Sequence, residues 1–426
     1  MTNEAIFAIV IFLIVYMIIV SEKIHRTIVA LAGALLMMAF GVMNQETAIH
    51  HIDFNTIGLL TGMMIIVAIT AETGLFNYIA IWSAKAVKGE PVLILIVLSL
   101  ITAIGSAFLD NVTTVLLIVP VTFSITRQLS VNPIPYLVSE ILMSNIGGTA
   151  TMIGDPPNIM IGSAVQELSF NDFITNLTLI SMFIAVVTIM VLVMLYRKEL
   201  MADERAKLRL MGLNEKDQIK DRKLLLKCLS VLTLTILGFF IHQTFDFESA
   251  SVALAGAVLL LLVAGPKYLE DALAQVEWPT IFFFIGLFVL VGGLMETGVI
   301  ERLAQGAVHL TKGNVTNTSL LILWMSAIAS AFVDNIPFVA TMIPMIQSFG
   351  EMGMTQLEPL WWSLALGACL GGNGTLIGAS ANVIVAGLAS REGHEISFFS
   401  FLKIAFPLMI LSILISTVYI YLRYLI

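Results

Sequence analysis

Hydrophobic positions along this chain fall in long unbroken blocks, with neither the alternation of a half-buried strand nor the stripe of a surface helix. Blocks able to cross a bilayer core, at about 20 residues each, predict spanning helices near residues 4–21, 27–43, 55–71, 136–165 and 173–196. Five more are predicted near 223–243, 249–264, 279–295, 361–390 and 401–422. Two further stretches, about 91–127 and 317–349, are too long for one helix, and an Asp-Asn pair interrupts each near its middle. Each reads as a re-entrant hairpin that enters and leaves on one side. The first run lacks a basic segment and a small-residue cleavage site, so it reads as a retained helix.

The polar intervals then orient the chain. The loop from Arg197 to Lys223 holds nine of the 21 basic residues, which by the positive-inside rule predicts that it is cytoplasmic and both termini extracytoplasmic. Counting spans puts Lys23, Arg26, Lys85, Lys88, Arg127, Lys227, Lys267, Arg391 and Lys403 on the same inner face. Because that loop mixes its charges, with Glu199, Asp203 and Glu204 among others, it reads as a solvated linker over 197–222.

Self-comparison finds one repeat within the chain. An offset of 224 maps Asp110-Asn111 onto Asp334-Asn335, Gly62 onto Gly286, and Glu72-Thr73-Gly74 onto Glu296-Thr297-Gly298. It also maps Ser106-Ala107-Phe108 onto Ser330-Ala331-Phe332, Pro120 onto Pro344, Gly147-Gly148 onto Gly371-Gly372, Thr151 onto Thr375, and Asn158 onto Asn382. With a shift of one residue, VALAGA recurs at 29–34 and 252–257. An odd number of spans per half inverts the second half. The expected fold is thus an all-α polytopic membrane protein of two inverted repeats of five transmembrane helices, each with a re-entrant hairpin and a broken helix. The repeats are 1–196 (hairpin 91–127, broken helix 136–165) and 223–426 (hairpin 317–349, broken helix 361–390).

Non-helical backbone inside a membrane is tolerated only where it is buried in protein or lines a cavity. Four such places are predicted: the hairpin tips Ser106 to Thr114 and Ser330 to Pro337, and two glycine-rich breaks, Gly147-Gly148-Thr149 to Asp155 and Asn158, and Gly371-Gly372-Asn373-Gly374-Thr375 to Asn382. The glycine pairs are expected to permit unwound backbone, whose free carbonyls and amides hold ions.

Asp110 and Asp334 are the main chemical candidates, since an ionisable group at membrane depth marks function. The alternative is a helix N-cap, because each precedes the return arm of its hairpin; even then its negative charge opposes a multiply charged anionic substrate. Proton and metal cation can compete for such a carboxylate, which is the simplest antiport mechanism. Asp155 adds a third acid, facing Ala379 in the other repeat, and Glu140, facing Leu364, either relays protons or pairs with a hydroxyl. Glu72 and Glu296 sit at predicted helix ends in ETG turns, and His50-His51 lies in an outer loop without the partners of a metal site.

Composition agrees with a membrane class: 58% of the 426 residues are hydrophobic and 12% charged, with a mean hydropathy of +0.98. Cys228 and Cys369 have no CxxC spacing, no basic stripe suits nucleic acid, and no Ser/His/Asp set or metal-ligand cluster suggests an enzyme or a cofactor. The Asp-Asn tips approach from opposite faces, as alternating gates would, rather than forming the continuous lined pore of a channel.

At SAFLDNVTT (106–114) and NIGGTATMIGDPPN (145–158) the chain resembles the ion transporter superfamily, in the branch of arsenite permeases, D-type sodium/proton antiporters and the melanosomal P protein. In the dicarboxylate branch the hairpin tips carry Ser-Asn-Thr; here Asp110-Asn111-Val112 and Asp334-Asn335-Ile336 place an acid where the serine stands. The resemblance implies Na+ sites at Asn111/Gly148 with Asn158 and at Asn335/Gly372 with Asn382, a homodimer, and an elevator-like motion of the hairpin domain. The expected activity is proton-coupled antiport of sodium or another small cation, with Asp110, Asp334, Asp155 and Glu140 as proton carriers. Asn111, Thr113, Thr149, Asn373 and Thr375 are expected to line the ion path. The rival expectation is a permease for arsenite, antimonite or another anion; the expected setting is the plasma (inner) membrane.

Overall fold

The computed structural model describes residues 2–21, 23–245 and 247–426, and every regular element among them is helical. The first half holds α1 (Asn3–Ser21), α2 (Arg26–Ala39), α3 (Gln45–His50), α4 (Phe54–Glu72), α5 (Leu75–Ala86), α6 (Pro91–Phe108), α7 (Asn111–Leu129), α8 (Ile134–Gly148), α9 (Pro156–Ala164), α10 (Phe170–Phe173) and α11 (Leu179–Tyr196). A short α12 (Glu204–Met211) lies in the charged loop. The second half holds α13 (Arg222–Ile241), α14 (Ser249–Ala264), α15 (Leu269–Gln275), α16 (Trp278–Glu296), α17 (Val299–Thr311), α18 (Val315–Phe332), α19 (Asn335–Glu351), α20 (Glu358–Gly371), α21 (Ser380–Arg391) and α22 (Phe398–Ile420). Among the described residues nine helical segments are long and apolar enough to span a membrane, and α2 and α14 are shorter apolar helices.

The repeat is a repeat of contacts as well as letters. In the frame, each half lends a helix to the other: α4 packs along α14 and α16 along α2. The close approach requires a missing side chain, because a Cβ on Gly62 would meet the Ala253 carbonyl carbon at 2.6 Å and one on Gly286 would meet that of Ala30 at 2.6 Å. Ala30 and Ala253 are the matching alanines of the two VALAGA strings. The hairpins form a second unit, in which α6 packs on α8 and α18 on α20. Their arms are separated only by Leu109-Asp110 and Val333-Asp334, whose φ and ψ depart from the helical region.

Two expectations need correction, and two helices were not predicted. Gly147, Gly148 and Gly371 are helical, closing α8 and α20, and the interruptions run from Thr149 to Asp155 and from Gly372 to Ala379. Their glycine serves close packing instead of unwinding: an added Cβ would lie 2.1 Å from the Ala103 carbonyl oxygen at Gly147 and 2.6 Å from that of Ala327 at Gly371. The stretches after the ETG strings hold helices α5 and α17, entered through left-handed Gly74 and Gly298 (φ 80° and 67°). The charged loop is docked, with buried Ala206 and Leu210 in α12 packing towards α7, and with Lys85 Nζ 2.6 Å from Glu215 and Lys207 Nζ 2.6 Å from Glu90. Its mixed charges find partners on the first hairpin and α5, which is why it does not float.

Candidate functional site between the hairpin tips

The two hairpin tips and the two interruptions meet at one place, and side-chain amides hold it together. Asp155, fully buried at the start of α9, receives Asn111 Nδ2 at 3.4 Å from the first tip and Asn335 Nδ2 at 3.5 Å from the second. Its other carboxylate oxygen has no protein partner. A carboxylate shared by two re-entrant tips ties any change in its charge or occupancy to both of them, since burying an unpaired charge is costly.

Beneath it lies an asparagine cluster with approximate twofold symmetry. Asn145 accepts from Asn111 Nδ2 (3.1 Å) and donates to Asn373 Oδ1 (2.9 Å) and Asn382 Oδ1 (3.0 Å), crossing from one repeat to the other. Cys369, its repeat mate, lies with Sγ 3.6 Å from Asn158 Oδ1. Asn158 donates to the carbonyls of Thr149 (3.1 Å) and Thr151 (2.9 Å), and Asn382 to those of Gly372 (2.7 Å) and Thr375 (2.9 Å). These amides satisfy the unwound backbone that the membrane would otherwise penalise. Thr151 and Thr375 tie the interruptions to the hairpins through the Ala107 and Ala331 carbonyls, as Ser106 and Ser330 do through Ser144 and Ala368 at 2.6 Å.

The two tip aspartates both cap their return helices but differ beyond that. Asp110 accepts from the Thr113 amide at 2.8 Å and from its hydroxyl, so its hairpin closes on itself. At Asp334 the matching residue is Pro337, which has no hydroxyl and no N–H. Asp334 accepts from the Ile336 amide (3.1 Å) and from Ser380 Oγ (3.0 Å), and forms an ion pair with Arg26. A narrow cleft beside Asp110, Asp155 and Asn335 is lined by Arg26 and Glu277, at the starts of α2 and α16.

Of the residues nominated from sequence, Asp110, Asn111, Thr113, Thr149, Asp155, Asn158, Asp334, Asn335, Asn373 and Asn382 gather here. Gly148 and Gly372 offer their carbonyls to Asn158 (3.5 Å) and Asn382. Glu140 stands apart: fully buried, it accepts a hydrogen bond from Thr122 between α7 and α8. In the second repeat both partners of that bond are apolar, Ile346 and Leu364. Glu72 and Glu296 remain at helix ends, and His51 Nε2 lies 2.9 Å from Glu296. Sequence reasoning missed Arg26, Asn145, Cys369, Ser380 and Glu277. Asn145 was visible as an amide inside an apolar helix, and Arg26 was hidden by being one inner-face cation among several.

Residues 16–367 match the family model CitMHS, described as citrate transporter. An uncharacterised transporter of Mycobacterium bovis is 43% identical over 98% of both chains, and a 46 kDa membrane protein of Mycobacterium leprae is 41% identical over 99% of both. The mouse P protein is 34% identical over 95% of this chain and 58% of its own. The crystal structure of the Alcanivorax borkumensis YdaH transporter superposes with a TM-score of 0.61 at 12% identity, over 99% of this chain and 98% of that one.

Proposed function

From the premise that the chain belongs to the CitMHS citrate-transporter family and is a multi-pass membrane transporter, we propose that it exchanges protons for sodium or another small cation by alternating access. The observation that carries this reading is Asp155, a buried carboxylate held by an asparagine of each hairpin and flanked by Asp110 and Asp334. Four acids, Asp110, Asp155, Asp334 and Glu277, against one arginine favour a positively charged cargo, and a proton and a metal ion are alternative partners for a carboxylate. Alternating access follows from inverted repeats, whose two halves can exchange conformations around one central site. We further assign the protein to the inner membrane as a homodimer, with the 197–222 segment cytoplasmic and both termini outside.

One observation favours a second reading, export or uptake of an anion such as arsenite or citrate. Arg26 lies in the cleft, and the N-termini of α7, α9, α19 and α21 converge there, so amide dipoles and a guanidinium face the site. Proteoliposomes holding a pH-sensitive dye decide between them, with sodium, lithium, potassium, arsenite and citrate added in turn. A pH change driven by sodium or lithium supports cation/proton exchange. Silence to cations with a response to arsenite or citrate replaces it by the anion reading.

A further inference from the structure

Asp110 and Asp334 hold equivalent places in the repeat and unequal partners. Thr113 in the first hairpin is Pro337 in the second, and Pro156 at the first helix start is Ser380 at the second. Beyond the Ile336 amide, Asp334 therefore finds its side-chain partners outside its own hairpin, in Ser380 and in the Arg26 guanidinium. Arg26 also donates to Ser380 Oγ at 2.7 Å and lies over the Phe283 ring of α16 at 4.9 Å. The helix that matches α2 is α14, which begins with Ser249 where α2 begins with Arg26, so the tethered cation belongs to one half alone. A cation at a helix N-terminus is opposed by the helix dipole. Arg26 thus gains nothing as a cap of α2, and its favourable partner is the carboxylate.

We propose that Arg26 is a lock: it holds the second hairpin against α2 and α16 while no cargo occupies Asp334, and it is released when a transported cation takes its place at that carboxylate. This deepens the cation/proton reading and rests on it. Obligatory exchange requires the carrier to cross loaded or protonated and never empty, because an empty return dissipates both gradients. Cargo and guanidinium exclude one another at Asp334, so one carboxylate keeps the empty carrier from crossing. Among the described residues, the other charged or titratable groups facing the pair are Tyr16 of α1, His25 before α2, Asp110 before α7, Asp155 before α9 and Glu277 before α16.

The test joins cysteines placed at His25 and Val333, which line an open cleft of about 340 Å³ beside the pair, with a short bis-thiol reagent in ion-free buffer. Native Cys228 and Cys369 are buried. Arg26→Gln and Asp334→Asn should each slow cross-linking about fivefold or more, the shift expected of a coupling contact, while Arg26→Lys stays close to the parent. The double variant should be no slower than either single one, because both remove the same contact. A parental rate in Arg26→Gln, or additive slowing in the double variant, overturns the lock; should Arg26→Gln fail to fold, a parental rate in Asp334→Asn overturns it equally. If both variants slow cross-linking while sodium, lithium and potassium leave the parent unchanged, the lock stands and the cation cargo falls. If those cations slow the parent while Arg26→Gln cross-links at the parent's ion-free rate, the cargo stands and the lock falls.

Discussion

Gly147→Ala isolates the contact on which the hairpin unit is built. The new methyl would lie 2.1 Å from the Ala103 carbonyl oxygen and 2.6 Å from its Cα, where ordinary contact begins at 3.4 Å. Relief requires α6 and α8 to part by about 1 Å, and interiors packed to crystal density transmit such a shift. Overpacking costs about 1–3 kcal/mol, and the upper end applies because the obstacle is backbone and α8 is buried from Pro135 to Gly148. Gly371→Ala meets the Ala327 oxygen at 2.6 Å and should cost less. Gly306 and Gly387 are helical with nothing within 4 Å, so alanine there should stabilise by about 0.8–1.0 kcal/mol through helix propensity. Thermal unfolding in detergent should rank Gly147→Ala below Gly371→Ala, and both below the parent and the two control variants. Gly147→Ala with the stability of the controls would refute the packing account and return the glycine to the role of a hinge.

Three other changes have defined outcomes. Asp155→Asn preserves shape and removes the charge shared by Asn111 and Asn335; with charged hydrogen bonds worth about 1.5–3 kcal/mol, apparent ion affinity should fall about tenfold or more while the protein stays monodisperse, and unchanged ion-driven proton flux in liposomes would contradict the site. Asn145→Ala strips partners from Asn111, Asn373 and Asn382; each buried group left unpaired costs about 1–3 kcal/mol, so a melting temperature equal to the parent's would show that the cluster does not join the repeats. Lys85 holds the Glu215 carboxyl below its ordinary value of 4.5. Docking of the charged loop should therefore survive as pH falls through about 4.5 and be lost only below it; limited proteolysis checks this, and faster cleavage already above that pH, or no faster cleavage at neutral pH in Glu215→Gln, counts against the contact.

The architecture was legible because membrane helices announce themselves by length and a repeat by offset, so the hairpins and broken helices followed from letters alone. The docked loop and the surface helices α5 and α17 were not, since their apolar faces and salt-bridge partners lie far away in sequence. At the site, Asn111, Asp155 and Asn335 could be nominated for being polar at membrane depth. Their convergence on one carboxylate could not, because it depends on how two hairpins seat against two interruptions. Arg26 is the sharpest loss: a loop cation explains its presence fully until the fold brings it to a residue 308 positions away.

An inverted repeat with identical halves would give its inward- and outward-facing states equal energy, because exchanging the halves exchanges the states. The contacts shared by both halves here, Gly62 on Ala253 and Gly286 on Ala30, or Ser106 and Ser330 on their carbonyls, build a frame and set no preference. Preference and chemistry must come from pairs in which the mates differ. His51 meets Glu296 across the repeats, and its mate Gln275 meets Glu72, at 2.9 and 3.3 Å, so the same seam carries an imidazole at one face and an amide at the other. Asp155 faces Ala379, Asn145 faces Cys369, and Arg26 faces Ser249. These differences fall on polar and ionisable groups, whereas the closest glycine contacts of the frame, at Gly62 and Gly286, are shared by both halves. The division is what the proposed alternating access requires, with a symmetric frame that lets both states exist and asymmetric polar pairs that make only one of them stable for a given occupant.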